Sequence, residues 1–245
     1  MASARILRVA LDVQEWEAYE SRSTMMKHGG KHLMLLALLF AGCDRQIPIL
    51  ENTSINGYEV QGTVTDQVGN PIPNVKVLLG YTAELIYPDS AATRRYFVQD
   101  PSVPVQAVVA DWSNQAIRIL TPLQNFYGWY EIHWDGIDST GSVPPSGIYY
   151  VEYLVGGTIK FSYNQLVSGG KVATTDARGR YTIPIQYLPI DSSSVPDFSS
   201  YDSTFVGDLL ISNSVFLTYL YPNHVQQVAR TLDKGRVTII NVIFD

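Results

Sequence analysis

Hydrophobic residues after position 43 fall in short runs, and no segment keeps a 3.6-residue apolar period over three helical turns. The runs are rich in Val, Ile, Tyr and Thr, and clusters of Gly, Pro, Asn and Asp separate them. The residues of the runs favour strands, and the residues between the runs favour turns. The pattern therefore predicts an all-β chain whose short strands pack as β-sandwiches.

The predicted strands cover residues 58–64, 75–80, 105–110, 116–120, 128–134, 147–154, 160–166, 171–175, 180–187, 215–221 and 236–244. The last of them contains the apolar run V-T-I-I-N-V-I-F. A continuous apolar run of this kind is typical of a strand buried on both faces. We therefore expect residues 236–244 to form a central strand.

The amino-terminal part of the chain has a different pattern. Lys27 and Lys31 precede an apolar run over residues 33–42, which ends in two small residues directly before Cys43, the one cysteine of the chain. The run is shorter than the about 20 apolar residues that cross a bilayer. A positive start, a short apolar run and small residues are typical of a secretory signal. With the cysteine in place, this order resembles the signal peptide of bacterial lipoproteins.

The resemblance implies that residues 1–42 comprise an upstream extension and a lipoprotein signal peptide. It also implies that Cys43 is lipidated and that residues 43–56 form a tether between the membrane and the folded part. The alternative is a buried apolar helix with an incidental cysteine. The acidic residues before Met25 do not suit a signal peptide. We therefore expect translation to begin at Met25 or Met26, so that the upstream extension is not part of the protein.

Residues 60–79 have the pattern of a hairpin. A strand ends at Asp66, a turn follows at Gly69 and its neighbours, and three alternating apolar residues return on one face. This stretch resembles the start of a carboxypeptidase regulatory-like domain, which is a transthyretin-like sandwich. The second hairpin of that family, T-x-D-x-x-G-x-Y, is matched by residues 174–181, about 95 residues later.

The intervening segment has its own signature. Residues 134–141 read W-D-G-I-D-S-T-G, and S-G-I-Y follows at 146–149. This order resembles the Ig-like domain of flagellar hook-capping proteins. The two resemblances together imply an Ig-like sandwich at 85–170 inserted in a discontinuous regulatory-like sandwich at 57–84 and 171–245. The alternative is one domain with long loops, although structureless loops of that length are uncommon.

Composition restricts the partners. The chain of 245 residues has a formal net charge of −6, which argues against a broad polyanion-binding surface, so we expect no nucleic-acid partner. One cysteine excludes a disulfide framework within the molecule.

The sequence contains no recognisable catalytic motif. His133 and His224 are followed three places on by Gly136 and Gln227, so neither begins an H-x-x-E zinc motif. Neither H-E-x-x-H nor G-x-S-x-G is present. We therefore expect no catalytic residue and no cofactor. A dispersed Ser-His-Asp triad stays open, because a triad needs geometry and not adjacency.

Asp135 and Asp138 are weak candidates for a metal site beside the turn of the W-D-G motif. The competing interpretation is that their carboxylates cap backbone N–H groups of the turn. We favour capping, because the run lacks the D-x-[DN]-x-[DN]-G spacing of a calcium loop.

Aromatic residues form the remaining candidate surface. Neighbours along a strand face opposite sides, so adjacent aromatics cannot all lie in the core, and an outward set could bind a glycan or a partner protein. The alternative is core packing with scattered exposed rings. The candidate contact residues are Trp129, Tyr130, Trp134, Tyr149, Tyr150 and Tyr153.

These observations lead to one expectation and one rival. The expectation is a non-enzymatic, lipid-anchored protein of the cell envelope that faces the periplasm or the exterior. It would serve in adhesion or as a scaffold, in contact with other envelope proteins or with itself through edge strands. The rival is a carbohydrate-binding module of a polysaccharide-handling system.

Overall fold

The computed structural model describes residues 56–191, 194–199 and 203–244. Within these ranges the chain is all-β, with a single 3₁₀ turn at Ile185–Tyr187 and no α-helix, which confirms the predicted fold class. No helix of this part of the chain has the length and hydrophobicity needed to span a membrane. The signal peptide, Cys43 and residues 43–55 of the predicted tether lie outside the described residues.

The strands of the described part are, in chain order, β1 (Glu59–Asp66), β2 (Lys76–Ile86), β3 (Arg95–Val98), β4 (Val105–Ala110), β5 (Ala116–Gln124), β6 (Gly128–Glu131), β7 (Gly147–Val155), β8 (Thr158–Val167), β9 (Gly170–Thr174), β10 (Arg180–Ile183), β11 (Ser194–Phe198), β12 (Phe205–Tyr221), β13 (His224–Thr231), β14 (Val237–Ile239) and β15 (Val242–Phe244).

The first sandwich is built from both ends of the described chain. One of its sheets has the order β10-β1-β14, and β15 continues along the same side of β1 as β14. The other sheet has the order β11-β12-β2-β9, with β13 paired to the second half of β12. Its core is packed between these sheets and includes Val60, Val77 and Leu217, each fully buried.

The second sandwich is formed by the intervening segment. A two-stranded sheet, β3-β6, faces a four-stranded antiparallel sheet of order β5-β4-β7-β8. Its core includes Ala107, Val151 and Tyr153. The buried residues of the second core lie between Val98 and Val167, together with Phe198 of β11.

Alternation along the strands explains the first core. Val75, Val77 and Leu79 have no exposed surface, as the predicted inward face requires. Gly62 lies where β1 passes closest to the carboxyl-terminal strands, and a Cβ added there would lie 1.8 Å from the carbonyl oxygen of Ile240. Glycine therefore permits the close approach of two backbones at this point.

The start of β12 and one serine connect the sandwiches. The β2–β12 ladder reaches the pair Asp208–Ile86, and Phe205 at the start of β12 packs against the second core. The buried hydroxyl of Ser146 donates to the Leu79 carbonyl and accepts from the Gly170 N–H group at 2.8 Å. Backbone pairing and buried hydrogen bonds thus hold the junction.

The expected central strand at 236–244 is wrong. The structure divides it into β14 and β15. Among the described strands these two pair only with β1, in parallel, and so form a sheet edge. Ile239 and Ile243 are exposed, whereas Ile240 is buried. The apolar run at 236–244 suggested burial on both faces, but the residues on the outward side of this edge are apolar and exposed.

Candidate functional site

The six candidate aromatics comprise four buried rings, one half-buried ring and one exposed ring. Tyr130, Trp134, Tyr149 and Tyr153 are buried in the core of the second sandwich, so burial removes them from any contact surface. Tyr150 is half-buried on the opposite side of β7 from Tyr149, as strand alternation predicts. The remaining candidate, Trp129 of β6, is 65% exposed.

The buried tyrosines and tryptophan have polar partners that fix the core. The Tyr153 hydroxyl accepts from the Ile132 N–H group at 2.9 Å and donates to the carbonyl of Arg94 at 2.5 Å. The Trp134 indole donates to the Ile137 carbonyl at 2.7 Å. Burial raises the pKa of Tyr153, which keeps its hydroxyl protonated. These contacts assign the buried rings to scaffolding.

An exposed aromatic patch, defined here as Phe97, Tyr127 and Trp129, lies on the outer face of the β3–β6 sheet. Phe97 pairs across the ladder with Trp129, and their ring centroids lie 5.3 Å apart in an edge arrangement. Tyr127, which precedes β6, packs against Phe97 at 5.7 Å. Tyr127 and Trp129 are each more than 60% exposed. Sequence reasoning missed Phe97, because only the pairing of β3 with β6 brings it beside Trp129. It also missed Tyr127, which lies two residues before Trp129 in the sequence.

Asp135 and Asp138 accept hydrogen bonds from their own turn. The Asp138 Oδ1 atom accepts from the N–H groups of Thr140 and Ser142 at 2.8 and 3.0 Å. The hydrogen bond from the Thr140 hydroxyl is the main cause that holds the pKa of Asp138 below its ordinary value. Asp135 forms an ion pair with Arg118 at 2.6 Å. Within the described ranges, no group of three or more His, Cys, Asp or Glu residues is arranged to hold a metal ion.

A polar cluster that sequence reasoning missed surrounds His133. The hydroxyl of Ser203 lies 2.7 Å from its Nε2 atom, and a carboxylate oxygen of Glu131 lies 3.5 Å from the same atom. Arg94 lies 2.7 Å from Nδ1. Because the guanidinium can only donate, Nδ1 is the acceptor and Nε2 carries the proton.

This arrangement differs from a hydrolase triad in two respects. In a triad, Nε2 must accept the serine proton and a carboxylate must hold the N–H group at Nδ1. Here Nε2 donates, and a cation occupies the position of the carboxylate. The same Arg94 guanidinium lies over the Phe198 ring, 4.2 Å from its centroid, so the cluster ties β11 to the second sandwich.

The free edge of β13 is the longest regular backbone surface of the described strands. β13 pairs with β12 over all eight of its residues without a register shift, and no described strand pairs with its other side. Its backbone N–H and C=O groups on that side can pair with another strand.

No known protein family, curated protein or solved structure gives a significant match to this chain. The geometry of the described residues therefore carries the functional argument.

Proposed function

We propose that the chain is a non-enzymatic, lipid-anchored protein of the cell envelope that acts as a scaffold or adhesion module. Cys43 would hold the protein to the membrane, and the two sandwiches would present sheet edges and loops to partners. The supports for the anchor are the positive residues, the apolar run and the small residues that precede Cys43. Several acyl chains at one cysteine would give stable membrane attachment.

The observation that carries the scaffold role is the free edge of β13. Most other polar groups described above are used within the fold: the Asp138 carboxylate caps its turn, and His133 holds Arg94 and Ser203. β13 in contrast pairs with no described strand along its outer side. Strand addition to such an edge is a common mode of protein recognition.

The test of the anchor uses the full chain with its leader, expressed in a bacterial host that acylates lipoproteins. We expect the mature amino-terminal peptide to begin at an acylated Cys43 and the protein to enter the detergent phase. The Cys43→Ser variant should retain the leader and carry no acyl chain. Wild-type protein that keeps residues 1–42 and a free thiol would contradict the proposal.

A second candidate function, glycan binding, is favoured by the aromatic patch. Exposed rings on a sandwich face can pack against the apolar faces of sugar rings, and Arg95 and Glu131, ion-paired at 2.6 Å beside the patch, could bind hydroxyl groups. If glycans bind here, Trp129→Ala should abolish binding on a glycan array. Trp112→Ala, which removes another exposed tryptophan outside the patch, should leave binding unchanged. Equal binding by both variants would refute this role.

A further inference from the structure

β13 differs from the other sheet edges of the described part in being both long and regular. β3, β6 and β10 have four residues each, and β14 and β15 have three. The ladder of β5 contains three register shifts and Pro122, and that of β11 contains one shift and Pro196. Short strands, prolines and bulges are the usual means by which proteins prevent edge-to-edge pairing.

The two remaining edges are covered or interrupted. β9 has five residues, and Gly170 at its start lies directly against the backbone of Pro144 and Ser146. β8 has one register shift and contacts β11. β13 therefore stands out as the edge without these protective features.

The composition of β13 also suits pairing. Its sequence H-V-Q-Q-V-A-R-T contains neither Pro nor Gly nor an acidic residue. Gln226 and Val228 are half-buried toward the first core, whereas Val225 on the other face is 73% exposed. An additional strand beside β13 would cover Val225 and extend the sheet.

The ladder determines which backbone groups are free. Tyr221 and His224 pair across a two-residue turn, and the closing pair of such a hairpin is hydrogen-bonded. Hydrogen-bonded and non-hydrogen-bonded pairs then alternate along an antiparallel ladder. Val225, Gln227, Ala229 and Thr231 consequently direct their backbone groups away from β12.

We propose that β13 pairs antiparallel with β13 of a second copy of this chain, about a two-fold axis at Val228. This proposal rests on the proposed scaffold function and names its partner. In this register Gln227 lies opposite Ala229 of the second copy, and Val225 lies opposite Thr231 of the second copy. Those residues direct their backbone groups outward, so each of these N–H and C=O groups finds a partner. The Arg230 guanidinium donates to the Ala229 carbonyl at 3.2 Å and must turn away from the edge for this pairing.

Backbone pairing selects this register over its neighbour. Pairing about Val228 gives all four outward residues a partner and places Arg230 opposite Gln226 of the second copy. Pairing about Gln227 instead leaves Thr231 without a partner in β13. The pairing joins two sheets into one continuous sheet, with an isologous interface.

The membrane anchor raises the fraction of paired copies, which a small interface alone would keep low. A single strand pair buries less surface than most stable interfaces, so its affinity in dilute solution is low. Copies held in one membrane plane have a high effective concentration, which favours the paired state without new contacts.

The test compares two double variants of the full chain whose charges depend on the proposed register. Each variant is placed in vesicles, and its association is measured by energy transfer between labelled copies. In Gln227→Lys/Ala229→Lys, lysines face lysines across the two-fold axis, and in Gln227→Lys/Ala229→Glu, lysines face glutamates. Both positions are exposed, so folding should be unaffected. We expect the dissociation constant of the first variant to exceed that of the second by roughly tenfold. Equal association of the two variants would overturn the proposed register.

A cross-link gives a second readout. Val228→Cys places two thiols in a non-hydrogen-bonded pair across the axis, where Cβ atoms approach to about 4.5 Å, a separation that a disulfide can span. Val225→Cys is the matched control, because its opposite residue is Thr231 of the second copy. We expect oxidised dimers from the first variant and not from the second. Wild-type protein that is acylated at Cys43 but monomeric at all surface densities would overturn the pairing and leave the anchor intact.

Discussion

The clearest stability prediction concerns the hydroxyl group of Tyr153. Tyr153→Phe keeps the ring in the second core but removes the acceptor of the buried Ile132 N–H group, 2.9 Å away. A buried donor without a partner costs about 1–3 kcal/mol. The variant leaves no cavity, so we expect the free energy of unfolding to fall by about 2 kcal/mol, which corresponds to about 4–8 °C in the melting temperature.

The assay is urea unfolding followed by tryptophan fluorescence. Trp112, Trp129 and Trp134 all belong to the second sandwich, so the signal reports the part of the molecule that the substitution affects. The matched control is Tyr150→Phe, the next aromatic of β7 on its other face, which should change the free energy of unfolding by less than about 0.5 kcal/mol. Equal stability of Tyr153→Phe and the wild type would refute the structural role of this hydroxyl.

Three further predictions concern the junction, the close approach of strands and the acid limit. Ser146→Ala should lower the melting temperature by several degrees, because the buried Gly170 N–H group loses its acceptor at a cost of about 1–3 kcal/mol. Calorimetry measures the melting temperature, and Ser139→Ala, at an exposed serine, is the control. Gly62→Ala should cost more than about 3 kcal/mol and reduce the folded yield, since its Cβ would overlap the Ile240 carbonyl; normal yield would contradict the packing of β1. Folding lowers the pKa of Asp138, so the ionised carboxylate stabilises the folded state. This stabilisation is fully present above the unfolded-state pKa, about 3.9, and is lost as the pH falls through the folded-state pKa. Asp138→Asn should therefore make the melting temperature less dependent on pH below about 4, and an unchanged acid profile would contradict this.

Local alternation predicted the inner residues of the strands well. Val75, Val77 and Leu79 are buried as the pattern required, and Gly69 and Gly179 have positive φ values of 89° and 69° in the two predicted turns. These features depend on neighbouring residues only, so the sequence contains the necessary signal.

Strand lengths and partners were predicted less well, because they depend on contacts distant in sequence. β2 was expected to end at Gly80, but it continues to Ile86 because β12 begins ten residues earlier than predicted, at Phe205 rather than Val215, and pairs with the additional residues. β13 was missed altogether because its composition is polar and its stability comes from its ladder with β12.

The candidate site also depends on contacts between residues that are distant in the sequence. Period-2 alternation correctly separated Tyr149 from Tyr150, but it could not decide which side of each strand faces the core. The aromatic patch needed the β3–β6 pairing, which joins Phe97 to Trp129 across more than thirty intervening positions. The contact between His133 and Ser203 spans an even larger separation in sequence, and no local motif signals it.

The β2–β12 ladder has a mechanical consequence. Domains joined by a flexible linker reorient freely, whereas here β12 is paired with β2 along the first core and begins at Phe205, which packs against the second core. A pull applied along those strands loads many backbone hydrogen bonds in parallel, so no single bond must bear the full tension. Stretching along β2 and β12 should therefore be resisted by the whole ladder, and its register shift, where the Thr82 hydroxyl donates to the Ser214 carbonyl, is the place where the backbone pairing is interrupted.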